Sequence, residues 1–386
     1  MTNNIIFADN AGTTRVSEQV LRSMLPFFGE VYGNPSSLHP KGFEASAALD
    51  AARAKIAQLL GATPREIFFT GSGTEAINWA IKGTAYAARK SDPEKNHIIS
   101  TEFEHHATIN SLKALERDGF EITLVKPSAD GIISPERVAA ALRPTTALVS
   151  VMAVNNEIGT IQPISELSAI TRPRKIPFFT DAVQAAGNIP INVNDWDVDM
   201  LAISGHKIHA PKGIGVLYIR RGTKVRNFID GGGQESGRRG GTENLPYIAG
   251  LATALEIATA KLCDLDRVRT LRERIIDELL RLPNTRLNGS RSGRVAGNAN
   301  LSFYGAEGES LLLDLAAAGI CVSTGSACAA QDLAASHVLL SIGVPVEWAH
   351  CSLRISLTHE NTEEEADKII AAVTKAVNRI RAISTL

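Results

Sequence analysis

The sequence predicts an α/β protein in which helices cover a mainly parallel sheet in a large domain, followed by a smaller α+β domain. From about residue 45 to 220, short apolar runs alternate with helical patterns. Several of these runs are apolar at successive residues, which is typical of strands buried on both faces of a parallel sheet. A chain of 386 residues also exceeds what one compact core accommodates, so we expect two domains.

Seven apolar runs predict the strands of the large sheet: Ile67 to Thr70, Ile98 to Ser100, Ile122 to Val125, Ala147 to Met152, Phe178 to Thr180, Met200 to Ser204 and Gly215 to Ile219. A long helical pattern from Ala249 to Leu282 leads into the second domain. That domain is expected to hold strands near Ala299 to Phe303, Cys321 to Ser323 and Ser352 to Leu357, and a closing helix from Thr362 to Ile383. The predicted boundaries are 15–258 for the large domain and 1–14 with 259–386 for the small one, which carries a mobile loop at about 322–334.

The composition narrows the class of protein. Lys and Arg number 40 against 41 Asp and Glu, a formal net charge of −1 that indicates no direct nucleic-acid or membrane partner. The N-terminal residues lack a basic stretch followed by an apolar run, so we expect neither a signal peptide nor a membrane span. Four cysteines, none in a Cys-x-x-Cys pair, favour free thiols in a reducing cytoplasm.

The most informative motif is Ser204-Gly205-His206-Lys207, at the end of a predicted buried strand. A lysine becomes a nucleophile when burial or a nearby cation lowers its pKa, so Lys207 is a candidate for a Schiff base. A lysine in a surface loop is the alternative for this residue taken alone. A second motif, Thr70 to Glu75 with glycines at 71 and 73, follows a strand and opens a helix. This pattern is typical of a phosphate-binding helix start, although an ordinary capped turn shares it.

Three more polar groups follow predicted strands. Asp181 ends a strand, where a carboxylate either points to the ligand-binding edge of the sheet or caps a helix. His105 and His106 follow another strand, and a single histidine stacked on a planar cofactor is a better interpretation than a zinc site, because adjacent side chains point apart. Asn155-Asn156-Glu157 offers amides for a cofactor hydroxyl or a substrate carboxylate, or simply forms a turn.

Cys328 lies among small residues in the segment Ser323 to Ala329, a setting that suits an accessible thiolate in a mobile loop. The other cysteines fit better as small buried hydrophobes. Together these groups fit pyridoxal 5'-phosphate, because its aldehyde needs a lysine, its pyridine nitrogen an acid, its phosphate a glycine-rich helix start and its ring a stacking partner. We therefore expect this cofactor and no metal ion.

Along nearly its whole length the chain resembles the cysteine desulfurases of pyridoxal-phosphate fold type I, in the class V aminotransferase superfamily. The resemblance rests on the order and spacing of nine motifs: Asp9-Asn10-Ala11 with Thr13-Thr14, Gly33-Asn34-Pro35-Ser36-Ser37, Gly73-Thr74-Glu75, Glu104-His105, Asn155-Asn156-Glu157-Ile158-Gly159, Asp181-Ala182-Val183-Gln184, Ser204-Gly205-His206-Lys207, Gly240-Gly241-Thr242-Glu243-Asn244 and Gly325-Ser326-Ala327-Cys328. The cysteine segment resembles that of the group I enzymes, which serve iron–sulfur assembly.

The resemblance implies a role for each matching residue around the cofactor. Lys207 would bind the cofactor covalently and later move protons, while Asp181 would pair with the pyridinium nitrogen. His105 would stack on the ring, and Gln184 would hydrogen-bond the phenolic oxygen. The implied phosphate contacts come from Gly73, Thr74, Ser204 and His206.

The resemblance also implies a homodimer, in which Thr242 of a second subunit completes the phosphate site. Arg354 would bind the substrate carboxylate, with Asn34 and Asn156 nearby; a guanidinium fork suits that task. Cys328 would be the nucleophile that takes sulfur from L-cysteine as a persulfide, leaving L-alanine. The sulfur would pass to a protein acceptor for iron–sulfur cluster assembly or another thiolation pathway, and Cys328 is also a candidate ligand of a transient cluster.

Two other enzyme activities and one non-catalytic role remain as alternatives. A selenocysteine lyase or a cysteine C–S lyase would share the cofactor site without the same dependence on Cys328. A non-catalytic sulfur-carrier or assembly protein would keep only the fold. Gly12 stands where the family usually has alanine, Thr324 replaces a common serine, and the sequence ends at Leu386, before the longer tail with which housekeeping members help to dock the scaffold. These departures leave the acceptor open.

Overall fold

The structure, a computed structural model, describes residues 5–324 and 335–383. In these ranges the strands are β1 Ile6–Phe7, β2 Ile67–Thr70, β3 His97–Thr101, β4 Glu121–Val125, β5 Thr146–Ser150, β6 Phe178–Asp181, β7 Met200–Ser204, β8 Gly215–Ile219, β9 Thr285–Leu287, β10 Asn298–Phe303, β11 Ile320–Cys321 and β12 Ser352–Ser356. The α-helices are α1 Glu18–Met24, α2 Pro26–Gly29, α3 Pro40–Leu60, α4 Gly73–Ser91, α5 His106–Arg117, α6 Pro135–Ala141, α7 Ile164–Thr171, α8 Gln234–Gly237, α9 Leu245–Ala260, α10 Leu265–Leu280, α11 Gly308–Ala317, α12 His337–Ser341, α13 Val346–Ala349 and α14 Glu363–Ile383. Short 3-10 helices lie at Pro64–Glu66, Arg172–Arg174, Gly205–Lys207 and Lys261–Asp264.

The large sheet has seven strands in the order β2-β8-β7-β6-β5-β3-β4. Strands β3 to β7 form parallel pairs, and β8 is antiparallel to both β7 and β2. The predicted α/β class with a mainly parallel sheet is therefore confirmed. Because parallel strands end at the same edge, the residues after β3, β5, β6 and β7 meet on one side of the molecule.

Helices cover both faces of this sheet, as its apolar strands require. In β7, Ile203 packs in a cluster with α1, α3 and α9, whereas its neighbour Ala202 packs in a cluster with α4 and α5. All residues of β5, β6 and β7 are buried. Burial on both faces explains why the sequence shows apolar runs instead of alternation.

The connection from β7 to β8 carries the lysine singled out in the sequence. The two strands pair in antiparallel register, with Ser204 opposite Gly215. Between them the chain reverses direction, and His209 and Gly213 take positive φ values of 64° and 88°. The reversal holds residues 205–214 at the carboxyl edge of the sheet.

A second hydrophobic core lies outside the large sheet. It gathers residues of α10, α11 and α14 against a three-stranded antiparallel sheet, β12-β10-β9, with Ile6 and Ala8 from the start of the chain. This separate core supports the proposed division into 15–258 and 1–14 with 259–386. Val338 and Leu339, however, pack in the cluster of the large sheet, so one piece of the proposed small domain contacts the large one closely.

The long helix expected from Ala249 to Leu282 is two helices. Helix α9 ends at Ala260, a 3-10 turn spans Lys261–Asp264, and α10 begins at Leu265. The break has a packing reason, because Leu251 of α9 belongs to the core of the large sheet and Leu271 of α10 to the second core. Among the helices of the described ranges, none is long and apolar enough to cross a membrane.

Candidate active site

A cavity of about 520 Å³ lies at the carboxyl edge of the large sheet. Its walls come from the ends of β3, β5, β6 and β7 and from the start of α4. Ten of the residues predicted from the sequence line it, namely Gly73, Thr74, His105, Asn156, Asp181, Gln184, Ser204, His206, Lys207 and Arg354. The volume lies within the range of small-molecule sites.

The start of α4 forms one wall. Ser72 caps the helix by accepting a hydrogen bond from the backbone N–H of Glu75. A Cβ atom at Gly73 would lie 3.0 Å from the Cβ of Ser204 and 3.0 Å from Cγ2 of Val183, so only glycine fits without displacement. The remaining free N–H groups and the helix dipole make this end of α4 favourable for an anion.

Lys207 reaches from the β7–β8 connection to the N-terminal segment. Its Nζ donates hydrogen bonds to the carbonyl oxygens of Ala11, at 2.7 Å, and Gly12, at 2.5 Å. Gln184 Nε2 donates to the same Ala11 oxygen at 3.0 Å. The charge of Lys207 is thus held by backbone dipoles beside the cavity.

Two carboxyl groups, those of Asp181 and Glu104, are buried at this edge of the sheet. Burial raises the pKa of Asp181 to about 6, although a hydrogen bond from the Val183 N–H and the charge of Lys207 lower it. Burial raises the pKa of Glu104 to about 8, against the lowering effect of hydrogen bonds from the Met152 N–H and the Thr101 hydroxyl. Burial therefore raises the pKa of both carboxyl groups, and that of Glu104 more than that of Asp181.

Burial has the opposite effect on the pKa of a base, and it keeps His105 and His206 neutral. Burial, and then the nearby charge of Lys207, lower the pKa of His105 to about 4. Nδ1 of His105 accepts a hydrogen bond from the Ala107 N–H at 3.1 Å, so the proton of the neutral ring lies on Nε2. Burial and Lys207 also lower the pKa of His206 to about 4, and its Nδ1 lies 3.1 Å from the hydroxyl of Thr13.

Arg354 supplies a further cation to the lining of the cavity. It is 3% exposed, and its Nη2 lies 2.7 Å from Oδ1 of Asp9. Its Nη1 donates to the backbone oxygen of Asn156 at 3.0 Å. Glu157 lines the cavity nearby; burial raises its pKa to about 7, while a hydrogen bond from Ser336 and the charge of Arg354 lower it.

Two predicted residues, Asn34 and Thr242, do not line the cavity. Asn34 is exposed, and its Oδ1 accepts a hydrogen bond from the Ser36 N–H at 2.9 Å. Thr242 is also exposed. Cys328 lies outside the described residues.

Sequence reasoning missed several residues that shape the cavity. Asp9, Glu104 and Glu157 stand inside the quoted motifs, but nothing in the pattern showed that their carboxyl groups would be buried or paired. His337 also lines the cavity, and its ring centroid lies 5.0 Å from that of His106. Within the described ranges, no group of three or more acidic, histidine or cysteine side chains is arranged to hold a metal ion.

Comparisons with known proteins agree with this geometry. The profile of the aminotransferase class-V family matches residues 6–369. A cysteine desulfurase IscS from Methanosarcina thermophila is 46% identical over 385 residues, which span 100% of this chain and 95% of that protein. A solved structure titled NifS-like protein superposes with a TM-score of 0.90 at 36% identity, covering 98% of this chain and 100% of the other. A structure titled SspA in complex with cysteine gives a TM-score of 0.81 at 38% identity, covering 91% and 98%. The chain therefore belongs to the class-V aminotransferase family, among its cysteine desulfurases.

Proposed function

We propose that this chain is a pyridoxal-phosphate-dependent cysteine desulfurase that converts L-cysteine into L-alanine and leaves the sulfur on Cys328. One observation carries the proposal: a single cavity brings together Lys207, Asp181, His105, the start of α4 and Arg354. A relative named cysteine desulfurase and a neighbour solved in complex with cysteine support the choice of substrate.

The residues present fit the proposed cofactor. A Cβ at Gly73 would crowd Ser204 and Val183, and the glycine leaves the N–H groups at the start of α4 accessible to a phosphate. Thr74, Ser204 and His206 would supply further hydrogen bonds there. Asn156 also lines the cavity, and its buried Oδ1 has no hydrogen-bond partner. This oxygen can therefore accept a hydrogen bond from a ligand. We assign Gln184 to the phenolic oxygen, as the family resemblance implies, since it lines the same cavity.

Pyridoxal phosphate, when bound, supplies an electron sink for negative charge that develops on the substrate. The chain contributes charge and proton positions. Asp181 provides a buried carboxylate that favours a positive charge beside it. His105 holds a proton on Nε2 in the cavity, and the amine of Lys207 both anchors the cofactor and holds a proton at Nζ.

Arg354 would orient the substrate by its carboxylate, because a guanidinium has five N–H donors in a plane. In the net reaction the Cβ–S bond of L-cysteine breaks, a bond forms between that sulfur and Sγ of Cys328, and Cβ gains a proton. The products are L-alanine and a persulfide, which a protein acceptor removes. Iron–sulfur assembly is the pathway we propose for that acceptor.

We also propose that the active enzyme is a homodimer in the cytoplasm. Thr242 is exposed and outside the cavity, as expected of a residue that acts on a partner's site. Large apolar side chains are exposed between residues 21 and 43, among them Phe28 at 58%, Tyr32 at 67% and Leu38 at 91%. A cluster of this kind marks an interaction surface. The cysteines of the described residues are free thiols, which suits a reducing compartment.

The test uses purified protein and a Cys328→Ala variant. The proposal predicts a borohydride-sensitive visible absorption band in both, with L-cysteine turnover lost only in the variant. A Cys321→Ala variant, at a half-buried position, is the matched control and should keep activity. Retained turnover in Cys328→Ala would favour a lyase, and absence of the band in the wild-type protein would favour the non-catalytic platform.

A further inference from the structure

Arg354 is a buried cation whose donors are only partly used. Its two terminal nitrogens contact Oδ1 of Asp9 and the backbone oxygen of Asn156. Its Nε has no hydrogen-bond partner. Since a guanidinium carries five N–H groups, donors remain for a second carboxylate. Asp9 does not line the cavity, so any effect that it has on a ligand is transmitted through Arg354.

Asp9 is held in place by the strand that carries Arg354. It forms a parallel bridge with Ser356, two residues after Arg354. The backbone N–H of Gly12 donates to the Asp9 oxygen at 3.0 Å and closes a turn. Asp9 is thus fixed at both its backbone and its carboxylate.

Gly12 leaves the room that the Asp9 carboxylate occupies. A Cβ atom at residue 12 would lie 2.4 Å from Oδ2 of Asp9 and 2.9 Å from its Cγ. Either distance is far inside van der Waals contact, so an alanine would push the carboxylate away from its present position. The ion pair with Arg354 depends on that position, since it joins the other oxygen of the same carboxylate.

We propose that Asp9 is a positioning residue that orients Arg354 toward the carboxylate of the amino-acid substrate, and that Gly12 makes this contact possible. The inference rests on the proposed function, because it takes L-cysteine as the ligand of the cavity. Two fixed contacts on the terminal nitrogens leave the guanidinium little freedom to rotate. A substrate carboxylate then meets donors that are already in place, which lowers the cost of ordering them.

An alternative role for Asp9 makes the opposite prediction. If Asp9 only competed with the substrate for Arg354, its removal would strengthen binding of L-cysteine. If it orients Arg354, its removal weakens binding. Glu157, a second carboxyl group that interacts with the charge of Arg354, is left unchanged when Asp9 is replaced.

The experiment compares Asp9→Asn, Gly12→Ala and the double variant, with Gly233→Ala as a control at a glycine that has open space around it. Each of the first two changes should raise the KM for L-cysteine by roughly tenfold or more, with a smaller change in kcat. The kcat/KM for L-cysteine methyl ester, which lacks the free carboxylate, should change little. The double variant should be no worse than either single variant, because both act on the same contact.

Calorimetry with L-alanine gives a readout that does not need turnover, and binding to the two single variants should weaken in parallel with KM. An unchanged or lower KM in Asp9→Asn would overturn the positioning role. Additive effects in the double variant would overturn the link to Gly12. If Asp9→Asn fails to fold, Gly12→Ala alone tests the contact. Absence of L-cysteine turnover in the wild-type protein, with L-alanine still bound through Asp9-dependent contacts, would reject the proposed function and not this inference.

Discussion

Replacing Glu104 with glutamine should make the stability of the protein less sensitive to rising pH. Glu104 is fully buried, and burial is the main reason that its pKa rises to about 8, with the charge of Asp181 adding to the effect. Glutamine keeps an oxygen that can accept the hydrogen bonds from the Met152 N–H and the Thr101 hydroxyl. It removes only the proton that Glu104 must lose as the pH rises.

The size of this effect follows from the pKa of Glu104 in the unfolded chain and in the folded protein. The unfolded chain releases this proton near the ordinary value of 4.5, whereas the folded protein keeps it to about 8. Between these values the native state binds more protons, so its stability is greatest at low pH and falls as the pH rises, by about 1.4 kcal/mol per unit. The glutamine variant lacks this loss. Between about pH 5 and about pH 7, its free energy of unfolding should therefore rise by about 3 kcal/mol relative to that of the wild type.

Urea unfolding of both proteins at several pH values measures this gap. Asp181 and Glu157, whose pKa values burial also raises, titrate in both proteins, and their contributions largely cancel in the comparison. Glu102→Gln, at a half-buried site in the same loop, is the control and should change the free energy of unfolding by less than about 0.5 kcal/mol. A gap between Glu104→Gln and wild type that stays constant over this pH range would refute the reasoning.

Two further changes test the walls of the site. Gly73→Ala should weaken binding of pyridoxal phosphate about tenfold, because the new methyl group overpacks the contact of α4 with Ser204 and Val183. Absorbance titration of cofactor-free protein measures this binding, with Gly233→Ala as a control that should bind the cofactor normally. Normal binding by Gly73→Ala would contradict the assignment. Glu235→Gln should lower the free energy of unfolding by about 3 to 5 kcal/mol, since Glu235 is 2% exposed and pairs with Arg53 at 2.8 Å. Glu256→Gln breaks a half-exposed pair and should cost less than about 1 kcal/mol by urea unfolding; equal losses in the two variants would refute the role of burial.

The sequence was sufficient for the sheet and for the residues that follow its strands. Strands buried on both faces leave apolar runs, and these fell within about two residues of the observed bounds. Lys207, Asp181 and His105 lie at the ends of such runs or within a few residues of them, and parallel strands bring their carboxyl ends to one edge. Their convergence could therefore be predicted without any knowledge of the loops.

Other parts of the site depend on contacts that local patterns do not encode. Asp9 and Arg354 are 345 residues apart in sequence. The residues around each of them do not indicate that the two side chains form an ion pair. The break at Lys261–Asp264 follows from which core each helix joins, not from its helical periodicity. Thr242 illustrates a different limit, because a residue assigned to a neighbouring subunit has no partner to meet within one chain.

Burial acts in opposite directions on acids and bases, and this sets the charge of the cavity. It raises the pKa of Glu104 and Glu157 and lowers that of His105 and His206. A count of the polar residues in the motifs would thus overstate the charge at neutral pH. Two of the cations that line the cavity are held by neighbouring groups: Lys207 by backbone carbonyls and Arg354 by Asp9. A ligand with a phosphate at one end and a carboxylate at the other then meets hydrogen-bond donors that are already held in position. A bound cofactor and amino acid require preorganised donors of this kind.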